Sequence, residues 1–217
     1  NTKDPITTIE KAVSYKEYIL QSFPHKTNFI PLMTIYLTDS ISKDEIVEGF
    51  KNNIFFAAKL YPANATTNSS YGVTEIKKIY YLFELMQDIG MPLLIHGEVN
   101  DTDVDIFDRE EVFIDRELVP LIYNFPKLKI VLEHITTSYA VDFVKEHNIG
   151  ATITPHHLHI NRNAMFFEGL NSDFYCLPVA KREVNRISLI KAATSGHKCF
   201  FLGSDSAPHL RQWKAFC

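Results

Sequence analysis

Four residues able to do metal chemistry stand at the ends of four short apolar runs. Lys59 follows "FFAA", His96 ends "PLLIH", His134 follows "KIVLE" and Asp205 follows "CFFLGS". With side chains alternating along a strand, Lys59 shares a face with Phe55 and Ala57, His96 with Leu94, His134 with Leu132 and Asp205 with Gly203. Neutral imidazole and carboxylate suit zinc. Lysine is not an ordinary ligand, because at a reference pKa near ~10.4 it is an ammonium. Burial and neighbouring cations lower that pKa, and the free amine then adds carbon dioxide. The product is a carbamate, an anionic two-oxygen ligand able to bridge two metals. Each residue also has a plain reading. Lys59 can carry its charge to water on a long stem, a histidine at a strand end can be a hydrogen-bonded core residue, and an aspartate there can cap the next helix. All four together point to a metal centre for hydrolysis.

Such a centre needs elements that bring strand ends together. Apolar runs predict strands over 29–37, 55–61, 92–97, 129–135, 151–158 and 199–204. Helical periodicity covers 8–21, 43–52, 74–89, 109–123, 139–147 and 183–194. Thr7-Thr8-Ile9-Glu10 and Ser42-Lys43-Asp44-Glu45 fit the capping box, and Gly90 and Gly196 stand where helices should stop. Strands apolar on both faces, alternating with helices, predict a parallel sheet covered by helices. A doubly wound sheet and a (β/α)₈ barrel both satisfy this pattern. No Gly-x-Gly-x-x-Gly or Gly-Lys-Ser/Thr follows a strand, which removes the usual support for a nucleotide-binding sheet. In a barrel, by contrast, the C-terminal strand ends converge on one mouth, where active sites sit.

The 217 residues are 46% apolar and 22% charged, the balance of a folded globular protein. A net charge of −4 without any Lys/Arg block argues against nucleic-acid or anionic-membrane partners. The sequence holds no 18-residue apolar span and no basic-then-apolar leader, so the expectation is a cytoplasmic protein without a membrane span. Cys176, Cys199 and Cys217 are few and widely spaced, which fits reduced thiols. Asn64-Ala65-Thr66 and Asn68-Ser69-Ser70 match the glycosylation sequon but read more economically as a polar loop.

The words around the four residues carry a specific resemblance. "KLYPANATTNSS", "GMPLLIHGEV", "DIFDRE", "EHITT", "ATITPHHL" with "NRN", "YCLP" and "GSDSAPH" resemble the single-function bacterial and fungal dihydroorotases of the amidohydrolase superfamily. The resemblance runs from "PITTIEKAVSY" to Leu210. It implies one domain over 1–217, a (β/α)₈ TIM-type barrel of the metal-dependent amidohydrolase kind, with about six of its eight strands present. It implies zinc-dependent, reversible hydrolysis of dihydroorotate to N-carbamoyl-aspartate in pyrimidine biosynthesis. It also implies two zinc ions per complete site, bridged by carboxylated Lys59, with His96 and His134 on one metal. Asp205 would be a ligand of the other metal and the catalytic proton shuttle. Asn1, Thr66, Thr67, Leu177 and His209 would contact substrate, Thr66 and Thr67 from a loop that closes over it. The partner implied is this small molecule, and a homodimer is compatible.

The family pattern opens with a strand bearing His-x-His and a nearby arginine, and this sequence begins after it, at the asparagine that closes the second strand. His157 and His159 form another His-x-His, but on the presumed seventh strand, where the family has histidine at His157 alone. After "APHLRQ" the family continues through a Cys/Gly-rich loop, whereas "WKAFC" follows here. Two other functions fit part of the pattern. A non-catalytic dihydroorotase-like scaffold subunit agrees with the missing His-x-His but has no need of the four retained residues. A related cyclic amidase such as a hydantoinase agrees with the four residues but not with the "KLYPANATTNSS" loop.

Overall fold

The structure is a computed structural model that describes residues 4–25, 27–208, 210 and 212. Strands β1 (Met33–Tyr36), β2 (Phe55–Leu60), β3 (Leu93–His96), β4 (Ile130–Glu133), β5 (Gly150–Ile153) and β6 (Phe200–Leu202) form one sheet. Its order is β1-β2-β3-β4-β5-β6, and every pairing is parallel. A doubly wound sheet reverses its strand order at a switch point. Uniform chain order is instead the winding of a (β/α) barrel. Among the described residues β1 and β6 are edges, so the barrel is not closed.

The helices are α1 (Ile9–Gln21), α2 (Lys43–Lys51), α3 (Tyr80–Ile89), α4 (Arg109–Phe113), α5 (Val119–Asn124), α6 (Ser138–His147), α7 (Pro155–His159) and α8 (Glu183–Ala193). A π-turn, Ile114–Leu118, joins α4 to α5, so the region predicted as one helix from Arg109 is continuous with a wide turn in its middle. One 3₁₀ turn, Ile76–Ile79, precedes α3. Among the described residues no helix is long and apolar enough to cross a membrane.

Alternation sorts the strand residues onto two faces. Ile35, Ala58, Leu60, Leu93, Ile95, Ile130, Leu132 and Ala151 are buried against the helices. Burying each Leu or Ile contributes roughly 1.5–3 kcal/mol. On the opposite face Thr34, Leu94 and Val131 are only half-buried, because that face looks into the barrel interior. Beside β1 this interior opens as a cleft of ≈ 380 Å³ that reaches Tyr36, Lys59 and Tyr61.

Four local expectations need correction. The run 151–158 is not one strand: β5 stops at Ile153, and Pro155, lacking an N–H, opens the short helix α7 at a position where that donor has no partner anyway. His157 and His159 therefore lie on a helix rather than on a strand. The run 29–37 is strand only from Met33. The capping boxes also differ from expectation. Thr8 caps α1 by accepting from Lys11 N at 3.2 Å, and Ser42 caps α2 by accepting from Asp44 N at 3.2 Å. Glu45, read as the returning acid of the second box, receives Ile9 N at 2.6 Å and so caps the neighbouring helix instead. Gly90 ends α3 in the left-handed conformation as expected (φ 75), whereas Gly196 lies beyond Thr194, the cap of α8.

Candidate metal centre

Lys59 lies on β2 between Tyr36 of β1 and Leu94 of β3. Its buried ammonium pairs with the Glu133 carboxylate and sits 4.6 Å from the centroid of the Tyr61 ring. Tyr36 and Tyr61 stack at 5.2 Å. Burial pushes the Tyr36 hydroxyl up to about 12. Tyr61 is raised further, by burial first and then by the negative charges of Glu133 and Asp205. Both phenols stay protonated and neutral beside Lys59.

His96 is the last residue of β3 and stands opposite Glu133 of β4. Its Nε2 is 3.0 Å from Glu98 Oε2, and its Nδ1 is 3.2 Å from His134 Nε2. Glu98, His96 and His134 are all buried. His96 thus meets a carboxylate at Nε2 and directs Nδ1 at His134. Burial holds the His134 pKa well below the usual imidazole value, with His96, Lys59 and His157 acting in the same direction. His134 is therefore neutral near pH 7, the form that ligates a metal.

His134 reaches this position by an unexpected route. Simple alternation puts it on the face of Leu132, yet Leu132 faces the helices with Ile95, and the inward residue is Glu133. The backbone of His134 is left-handed, with φ 44, and this turns the imidazole back toward His96. A non-glycine residue pays for such a conformation with strain that the surroundings must hold. His134 N donates to Thr152 Oγ1 at 2.6 Å, and Ile135 N donates to Thr152 O at 3.1 Å. Asp205 is also left-handed, with φ 45. It follows β6 on the same rim, is exposed, and lies close enough to Tyr61 to raise its pKa.

Lys59, His96 and His134 thus come together, with Asp205 nearby. Two neutral imidazoles whose facing nitrogens are 3.2 Å apart fit two ligands of a zinc ion. The Lys59 nitrogen fits as a third only after conversion to an anionic oxygen donor. Among the described residues no group of three His, Cys, Asp or Glu side chains is placed to hold a metal. Glu98 gives His96 the carboxylate partner that orients metal-binding imidazoles.

Of the expected substrate contacts, Thr66 and Thr67 lie in the loop after β2. Its base is closed by Ala63 N on Val73 O at 2.9 Å, and its tip by Thr66 N on Ser69 Oγ at 2.9 Å. Leu177 is half-buried on the segment before α8. Asn1 and His209 lie outside the described residues. His157 is buried on α7, its Nε2 without a hydrogen bond, rather than at a strand end. Glu98 and Glu133 join the site without a role assigned from the sequence, although Glu98 stands in "GMPLLIHGEV" and Glu133 ends "KIVLE". Period two, carried one residue less far along β4, would have singled out Glu133.

A parallel sheet wound in chain order, with a lysine, two imidazoles and a carboxylate along its C-terminal rim, has the architecture from which (β/α) barrels are built. No protein-family model matches the chain. Over 216 residues it is 60% identical to the dihydroorotase of Synechococcus sp. (strain CC9902), covering 99% of this chain and 63% of that protein. It is 56% identical over 216 residues to the dihydroorotase of Erythrobacter litoralis (strain HTCC2594), again covering 99% of this chain and 63% of the relative. Among solved structures, dihydroorotase of Saccharomyces cerevisiae in complex with 5-fluoroorotic acid superposes with a TM-score of 0.87 at 36% identity, over 97% of this chain and 61% of that one. The L-hydantoinase of Arthrobacter aurescens gives 0.74 at 15% identity, over 93% and 48%, and shares the fold. The chain is related to the dihydroorotases along almost its whole length and spans about 63% of the curated relatives' own length.

Proposed function

We propose that this chain carries the lysine–histidine half of a dihydroorotase active site, for the zinc-dependent, reversible hydrolysis of dihydroorotate to N-carbamoyl-aspartate. The observation that carries the reading is the approach of His96 Nδ1 to His134 Nε2 beside Lys59. A relative's complex with 5-fluoroorotic acid, a pyrimidine carboxylate, supports the substrate class. Identity of 36% to that enzyme against 15% to the hydantoinase favours the dihydroorotase reading over the other cyclic amidase. Retention of all four rim residues favours an enzyme over a scaffold subunit.

Lys59, once carboxylated, together with His96 and His134 would hold one zinc. Lys59 and Asp205 would contribute to a second. Bound zinc supplies Lewis acidity at a carbonyl and makes water a nucleophile near neutral pH. Asp205 accepts the proton of the water that adds to the ring amide carbon. It then delivers that proton to the ring nitrogen as the C–N bond breaks. Closing the ring runs these transfers backward. Thr66 and Thr67 offer hydroxyls to the substrate from a loop whose closure keeps water out. Asn1, His209 and the backbone of Leu177 complete the contacts to the carboxylate and ring.

Metal analysis and a dihydroorotate hydrolysis assay on one preparation test this. Zinc should bind the chain and be lost in both His96→Ala and His134→Ala. Equal zinc in the parent and both variants would remove the metal centre. Zinc-dependent hydrolysis of hydantoin with none of dihydroorotate would remove the substrate assignment.

A further inference from the structure

The word "DIFDRE" is one of those that carry the resemblance in the sequence but supplies none of the residues placed at the rim. Its final residue, Glu110, is a fully buried carboxylate in the first turn of α4. It accepts from the two residues that follow His134 by two and three positions. Thr136 N reaches Oε2 at 2.8 Å and Thr136 Oγ1 reaches Oε2 at 2.9 Å. Thr137 N reaches Oε1 at 2.9 Å and Thr137 Oγ1 reaches Oε1 at 2.6 Å. The Thr137 hydroxyl in turn accepts from Ala140 N at 3.0 Å, so the same group caps α6. Burial opposes the charge on Glu110, while Lys181 and the threonine donors favour it.

The other end of this turn of α4 touches the neighbouring strand. Val99 N donates to Arg109 O at 3.3 Å, just beyond His96 and Glu98. Residues 109 and 110 therefore tie the exit of β3 to the exit of β4. These are the two exits that carry His96 and His134. The exit of β4 is also where the left-handed His134 must be held, from one side by Thr152 and from the other by Glu110.

We propose that Glu110 is a positioning residue for His134: its carboxylate clamps the Thr136–Thr137 turn and so holds the strained backbone that aims the imidazole at His96. This rests on the reading of His134 as a zinc ligand. A carboxylate suits the task because four donors converge on two oxygens. A glutamine would turn an NH₂ toward two of those donors and leave them unpaired.

The test uses Glu110→Gln and the milder Thr136→Val, which removes one hydroxyl donor and keeps the backbone bond. Zinc affinity is measured by chelator competition. Amide exchange and the ¹⁵N signals of the His134 ring are followed without metal. Glu110→Gln should weaken zinc by roughly 10–100-fold, the usual effect of losing a residue that orients a ligand. Thr136→Val should weaken it less, in the same direction. Exchange should quicken at residues 134–140 and stay unchanged in β1 and β2, which a general loss of stability would not produce. Zinc affinity within twofold of the parent in both variants would overturn the proposal. If the parent itself binds no zinc, the ligand reading of His134 falls. The clamp is then decided by the metal-free signals: a shifted His134 ring with faster local exchange supports it, and unchanged signals overturn it.

Discussion

Glu98 Oε2 lies 3.0 Å from His96 Nε2, and both side chains are buried. This pairs Nε2 with a carboxylate and leaves Nδ1 directed at His134. The second oxygen, Oε1, has no hydrogen-bond partner, so the carboxylate is held chiefly by the histidine it orients. Glu98→Ala should lower zinc affinity by roughly 10–100-fold. Glu98→Gln keeps an acceptor and should lower it less. Chelator competition measures both, and an alanine variant that binds as tightly as the parent contradicts the role.

Gly203 packs where a side chain does not fit. A Cβ there would lie 2.7 Å from Thr152 Cβ and 3.0 Å from Thr152 Oγ1, the oxygen that accepts from His134 N. Gly203→Ala should destabilise the chain by about 1–3 kcal/mol through overpacking, and should weaken zinc binding because Thr152 must shift. Thermal unfolding and a zinc titration read the two effects separately. An alanine variant with the parent's melting temperature would show that β6 yields freely at its edge.

Stability should fall in mild acid, in part because of His157. Burial holds its pKa well below the usual value of 6.5, with His156 and Lys181 adding to the effect. The folded state keeps His157 neutral, whereas the unfolded chain takes up a proton once the pH drops below about 6.5. The stabilisation is therefore complete above that value and is lost as the pH falls toward the depressed folded pKa. One such group contributes a slope of about 1.4 kcal/mol per pH unit. His157→Gln removes it, so the variant should lose less stability than the parent between pH 6.5 and pH 5. Urea unfolding at both pH values checks the difference, and parallel curves refute it.

Lys59 pairs with Glu133 and is buried beside two neutral tyrosines. With zinc and ¹³C-bicarbonate supplied, a carbamate signal is expected that disappears in Lys59→Ala. Glu133→Gln removes the competing carboxylate and should increase the carbamate fraction at a given bicarbonate concentration. A signal that persists in Lys59→Ala assigns the modification to another amine.

Much of this protein is written locally. Apolar runs alternating with helical periodicity determine a helix-covered parallel sheet, because strands buried on both faces need cover that an adjacent helix supplies. The types and spacing of Lys59, His96, His134 and Asp205 likewise announce metal chemistry at strand ends. Local pattern could not choose between a doubly wound sheet and a barrel, since both present the same alternation. The chain-ordered pairing from β1 to β6 makes that choice. Nor does alternation bring His134 into the site. It assigns Glu133 to the interior and His134 to the helices, and a left-handed turn reverses the second assignment. That turn is costly for histidine on its own. It is held by Thr152 from the next strand and Glu110 from the preceding helix, 18 and 24 residues away along the chain. The sequence by itself determined which residues could ligate a metal. Only the tertiary structure decided how they are aimed, because the groups that hold the strained backbone are distant in sequence and meet it only in the fold.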